Sequence, residues 1–222
     1  MKSGRSCYVS FFYKKRKRKN AFQIPAWSDD RTWAKNRGET DSAFCPGTDL
    51  SRNYPADWGT GGSTNPCSMD FIGQHEGSEI ETAAHIALID ELLSKNSLDA
   101  YLSITSYGQT VVYPYGSDKK SDYWNELEPI TRKIAQSMSQ IHRQTEYETA
   151  FSWGAAHDHE EIRGGSSEDY VHDRGVKYSF RLNMRDTGEF GYILPEEMIP
   201  ISTTEALAGI NALVTEITKI WF

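Results

Sequence analysis

Two stretches of the chain bring together side chains able to do chemistry. In "YLSITSYGQTVVYPYG", residues 101–116, the cluster Thr105-Ser106-Tyr107-Gly108-Gln109 sets hydroxyls and an amide at the end of an alternating run. Ala100, Leu102 and Ile104 alternate there with Tyr101, Ser103 and Thr105, the period-two signature of a strand with one buried face. Open α/β sheets bind ligands beyond the C-terminal ends of their strands, so the cluster marks a candidate site. Thr105 is its odd member, because a hydroxyl offers less chemistry than such a place usually holds. The second stretch, "CPGTDLSRNYPADWGTGGSTNPC", runs from Cys45 to Cys67. Its Gly, Asn, Pro and Ser give it little regular structure, and closing it with a disulfide is worth about 3 kcal/mol in the loop-entropy account. Cysteine counting alone leaves two unpaired thiols open. Two cysteines with no histidine in the loop fall short of a structural zinc site.

The elements that must position these residues follow from periodicity. "SEIETAAHIALIDELLSK", residues 78–95, reads as a helix. A capping box of Ser78 with Glu81 opens it, and Ile80, Ala83, Ala84, Ala87, Leu88 and Leu92 form its expected inner face. A second helix is expected over about 121–142, with Trp124, Leu127, Ile130, Ile134, Met138 and Ile141 inward. "VKYSFRLNM", residues 176–184, reads as a strand, and residues 203–221 read as a closing helix with Leu207, Ile210, Leu213, Ile217 and Ile220 inside. Residues 149–175 read as a long polar loop, and long loops in compact domains often carry function. Strands alternating with helices predict an α/β domain with a mixed, mostly parallel sheet flanked by helices.

The chain of 222 residues is long enough for one domain with a sizeable core. No stretch approaches the roughly 18 apolar residues of a membrane span, so a membrane role is not expected. The net charge of −7 is unevenly placed. Residues 1–19 carry eight Lys or Arg and no acid, which leaves sixteen basic against thirty-one acidic residues in the remainder. That acidic body is unsuited to nucleic acid. Residues 1–19 are read as a basic leader without structure, and residues 20–222 as the globular part. "CYVSFFY" is too short for a secretory signal and precedes the basic cluster instead of following it.

"CPGTDLSRNY", "GSEIE", "LSITSYGQTVVYPYG", "GVKYSF" and "RDTGEFGYILP" occur in that order. Together they resemble the pancreatic-type zinc carboxypeptidases from about Asn20 to the C-terminus. The resemblance implies an extracellular α/β enzyme that removes C-terminal residues with one zinc ion, a water and a glutamate base. It also implies a disulfide between Cys45 and Cys67, and cis bonds at Ser106–Tyr107, Pro114–Tyr115 and Arg185–Asp186. A monomer acting on peptide or protein C-termini is expected.

Several positions depart from the family's pattern. The match starts past the family's first two zinc ligands, a His-x-x-Glu pair, so that pair is expected to be absent. His157 to Glu160 is the chain's H-x-x-E, but it stands downstream, in the polar loop. The third ligand, a histidine in the family, falls on Thr105, a poor zinc ligand at neutral pH. The base falls on Asn183, which cannot accept a proton. The oxyanion arginine falls on Ala34, in Trp33-Ala34-Lys35, and the mobile tyrosine that caps substrate falls near Glu161. The pair that grips the substrate carboxylate reads Ser51-Arg52, Tyr107 is kept, and the residue at the base of the pocket falls on Glu168. An open pocket over Glu168 would favour a Lys or Arg end; otherwise Arg52 pairs with a local acid such as Asp49 and Glu168 faces water. These departures lead to the expectation of a catalytically inactive chain, with zinc not bound. A binding or scaffold module, a working enzyme known from a truncated gene model, and a fragment without a stable fold are the alternatives.

Overall fold

A computed structural model of the chain describes residues 7–11, 33–141 and 150–221. Five strands form one sheet in the order β1-β2-β5-β3-β4: β1 Cys7–Phe11, β2 Ala100–Ser106, β3 Thr110–Tyr113, β4 Ser152–Ala155 and β5 Tyr178–Met184. β1 with β2, β2 with β5, and β3 with β4 are parallel, while β3 runs antiparallel to β5. The mixed, mostly parallel sheet expected from the sequence is therefore present. β1 falls inside the segment read as a leader, with Cys7 opposite Ala100 and Phe11 opposite Ile104. Its residues are mostly β-branched and aromatic, the types that suit a pleated surface. The basic run Lys14 to Lys19 lies outside the described residues.

The helices are α1 Ile80–Ser94, α2 Trp124–Ile141, α3 Ala156–His159, α4 Ser167–Asp173 and α5 Ile199–Trp221. Even-numbered residues of the central strands, Ala100, Leu102, Phe180 and Leu182, face α2 and α5 and join Leu127, Ile134, Met138, Leu213 and Ile217 in the larger core. The odd-numbered side, with Tyr101, meets Ile89 of α1 and Tyr170 and Val171 of α4 in a second core. Burying each Leu, Ile, Val, Met or Phe among these stabilises the fold by about 1.5–3 kcal/mol.

Several details differ from the periodic reading. α1 spreads its apolar and polar residues round the helix, so its pattern marks no unique inner face. The structure buries Thr82 and Ile89 and leaves Ile80 69% exposed. Ser78 does not cap α1; its hydroxyl donates to Glu79 Oε1, and the buried Glu79 also accepts from Thr48 at 3.0 Å and Asn36 at 2.5 Å. Trp124 of α2 and Leu207 and Ile220 of α5 stand exposed. The long polar loop holds β4, α3 and α4, elements of four to seven residues, too short to show a period. Cys45 and Cys67 are disulfide-bonded, and the three expected peptide bonds are cis.

α5 also turns an acid inward. Glu205 is fully buried and accepts from Arg185 through both oxygens, at 2.7 and 2.6 Å. Burial pushes its carboxyl up to about 7, against the pull of Arg185. Removing one partner of such a pair leaves a buried charge poorly met. Glu205→Ala is expected to destabilise the protein by about 3–5 kcal/mol in urea unfolding; a loss under 1 kcal/mol would show that the pair carries no structural weight.

Candidate functional site

The candidate site lies on the odd-numbered face of the sheet, at the C-terminal ends of β2 and β5. Thr105 and Asn183 are register partners there, and Thr110 of β3 lies opposite Asn183 on its other side. The sequence therefore brings together the two positions that the resemblance assigns to ligand and base. Thr105 is exposed, and its hydroxyl makes a long 3.5 Å contact with Ser106 O. Asn183 is buried, and its Nδ2 donates to Thr110 Oγ1 and Glu160 Oε1, each at 2.5 Å. Zinc takes imidazole, thiolate or carboxylate donors. A neutral hydroxyl and a committed amide do not fit it, and among the described residues no group of three or more His, Cys, Asp or Glu is placed to hold a metal ion.

Two residues from Asn183 along β5, on the same face, stands Arg181. It is 2% exposed. Nη1 donates to Glu168 Oε1 at 2.5 Å, and Nη2 donates to Glu160 Oε2. Glu168 thus neither floors an open pocket nor faces water. It is 3% exposed and engaged by Arg181, with Arg163 Nη2 a further 3.7 Å from the same oxygen. Burial pushes its carboxyl upward, against the Arg163 charge. The strand's alternation explains the difference: a charge on an inner strand needs counter-charges from whatever element packs over it, and α4 supplies Glu168.

Glu160 completes the cluster from the segment after α3. Besides Asn183 and Arg181 it lies 3.6 Å from Arg163 Nε. His157, three residues earlier, turns Nδ1 to Tyr115 O at 3.0 Å, so the two members of the H-x-x-E serve different partners. Glu161 points to solvent. Ala34 presents a methyl where the resemblance places a cation. Its neighbour Lys35 does not replace it, since Nζ is buried against the disulfide loop, donating to Pro66 O at 2.5 Å and Ser68 O at 3.1 Å.

The Ser51-Arg52 pair sits beside this cluster. Arg52 meets Asp49 at 3.3 Å and donates Nη1 to Gly61 O at 2.6 Å. Ser51 Oγ donates to Asp49 and lies 3.4 Å from Arg163 Nη1. Gly164 and Gly165 hold the two segments together. A Cβ on Gly165 would stand 2.1 Å from Arg52 O, and one on Gly164 1.9 Å from Asp57 O, while Tyr54 N, Ala56 O and Thr60 O bond the same two glycines. Tyr107 is 42% exposed and meets Tyr192 edge to face, with ring centroids 5.0 Å apart. Burial, then the charge of Asp49, raises the Tyr192 hydroxyl. Arg181 and Arg163 are the site residues that motif reading misses. A charged residue between Phe180 and Leu182, in a strand whose other members are all uncharged, is the signal that could have found the first.

The zinc carboxypeptidase family matches residues 22–209. Bovine carboxypeptidase B2 is 34% identical over 198 residues, 87% of this chain and 45% of the bovine protein. Bovine carboxypeptidase B is 35% identical over 190 residues, 85% of this chain and 44% of the bovine one. The structure of bovine thrombin-activatable fibrinolysis inhibitor in complex with tick carboxypeptidase inhibitor aligns with a TM-score of 0.80 at 33% identity, covering 87% of this chain and 64% of that one. Carboxypeptidase A from Helicoverpa armigera aligns with a TM-score of 0.78 at 25% identity, covering 86% and 47%. The chain belongs to the zinc carboxypeptidase family. It spans about half the length of the curated relatives named here.

Next to Glu168, Asp169 is buried and pushed up to about 8, by burial first and the Glu168 charge second; Gly116 N opposes this. The folded protein therefore holds a proton, between the ordinary 3.8 and about 8, that the unfolded chain releases. Stability from this group is full below pH 4 and is lost as pH rises through 8, at up to about 1.4 kcal/mol per unit. Thermal melts of Asp169→Asn are expected to decline less between pH 5 and 8 than those of the wild type; equal slopes would count against a protonated Asp169.

Proposed function

We propose that this chain is a non-hydrolytic member of the zinc carboxypeptidase family that holds peptide C-termini without cleaving them. The state of Asn183 carries the reading. An amide has no proton-accepting role to play toward a water, and its Nδ2 is already donated to Thr110 and Glu160. Its register partner supplies a hydroxyl in place of an imidazole. In this reading Ser51 and Arg52 receive the terminal carboxylate, Tyr107 and Tyr192 line the approach, and zinc is not retained. A Cys45–Cys67 disulfide is at home in an oxidising compartment, which supports an extracellular location. Among the described residues no helix is long and apolar enough to cross a membrane.

The test is an assay of the full-length protein with peptides ending in Leu, Lys and Glu, with and without added zinc. Mass spectrometry follows release of the last residue, and elemental analysis counts zinc. No release above a heat-treated control, and zinc well below one per chain, is expected. Turnover accompanied by stoichiometric zinc would overturn the reading.

A further inference from the structure

Glu160 is held the way a ligand is held. Its carboxylate takes donors from two residues of β5, Asn183 and Arg181, and stands 3.6 Å from Arg163 Nε. None of these belongs to α3, the helix it follows. The receiving groups are built in: Arg181 is 2% exposed and Asn183 6%. The carboxylate itself lies at the mouth, with the Glu160 side chain 19% exposed and Glu161 and Ile162 open to solvent. The Arg163 Nε is buried with no hydrogen bond, so a donor remains free in the cluster.

The charges give the pocket a sign. With Glu160 withdrawn and the neighbouring buried Asp169 holding its proton, Arg181 and Arg163 face the carboxylate of Glu168, and Arg52 is balanced by Asp49. One positive charge is left over in a largely buried cluster, where an ion is bound more strongly than in water. The Asn183 amide adds a donor and no acceptor toward Glu160. A Lys or Arg side chain entering here would meet two guanidinium groups, and an apolar one would strip them of their partner.

We infer that Arg181, Arg163 and Asn183 form a pocket for the side-chain carboxylate of an acidic C-terminal residue, and that Glu160 occupies it in the free protein. The inference rests on the reading that the chain holds peptide C-termini. The terminal carboxylate lies on Arg52 and Ser51, and Ser51, 3.4 Å from Arg163, links the two halves. Binding exchanges one carboxylate for another, so affinity in the wild type is reduced by the fraction of time Glu160 is in place.

A panel of peptides identical except for a final Glu, Lys or Leu tests this by calorimetry on the full chain, with intact masses checked afterwards. The Glu-ended peptide is expected to bind at least about tenfold more tightly than the others, the step that one charge-assisted hydrogen bond would give. Glu160→Ala is expected to raise that affinity about tenfold again, and Glu160→Ala with Arg181→Met to erase the preference. Lys- or Leu-ended peptides binding as well as the Glu-ended one, or a preference that survives Arg181→Met, would overturn the inference while leaving C-terminal binding intact. No binding by any peptide refutes the underlying reading and this inference with it. Should Glu160→Ala not fold, the wild-type panel decides alone, since the same order is expected at lower affinity.

Discussion

A guanidinium withdrawn from water costs several kcal/mol unless carboxylates reach it with good geometry. Arg181 sits in the middle of the sheet under that constraint, and the elements around the cleft meet it. α4 delivers Glu168 from one side and the segment after α3 delivers Glu160 from the other. Arg163 is drawn in by the two acids, and Ser51 comes within reach of Arg163. Through these two acids, one residue of β5 ties together α4, the segment after α3 and Arg163. The Thr105–Asn183 pair lies at the end of the same strands, so the fate of the chemical centre and the filling of the neighbouring pocket are physically joined through Glu160.

The two faces of the sheet solve opposite problems. Toward α2 and α5 the strands offer Ala100, Leu102, Phe180 and Leu182, and burial of hydrocarbon is enough. Toward the cleft they offer Ser103, Ser179, Arg181 and Asn183, all buried. Those groups must be matched one by one with hydrogen bonds, because each unmet polar group in the interior is costly. The first face tolerates change of similar volume; the second specifies its partners by charge and by donor count.

Much of the fold was legible because long elements carry periods. β2, β5, α2 and α5 were visible in alternating or helical spacing, and the mixed sheet followed from their order. α1 was placed correctly but faced wrongly, since an alanine-rich helix has no clear apolar side and Ile80 is exposed while Thr82 is buried. β4, α3 and α4 were missed because four to seven residues are too few for a period. The frame of the site was legible in motifs, down to Thr105 and Asn183. Its filling was not, because Arg181, Glu160 and Glu168 lie 8 to 21 residues apart in the chain, and only the packing of α3 and α4 over β5 makes them neighbours. The inward acid of α5 was hidden for the same reason: Glu205 reads as a solvent residue until Arg185 is seen across from it.

The glycine pair at 164 and 165 sets a mechanical boundary. Its backbone lies so close to Arg52 and Asp57 that no side chain fits between, and three backbone hydrogen bonds fasten it to residues 54–60. On the other side, β4 is laced to β3 from Ser152 to Ala155. The stretch carrying Glu160 is therefore an arch with both feet fixed. An arch of that kind can tip its crown outward but cannot slide, so the distance Glu160 travels is bounded by the length of chain between its footings, and Arg52 stays in place while the crown moves.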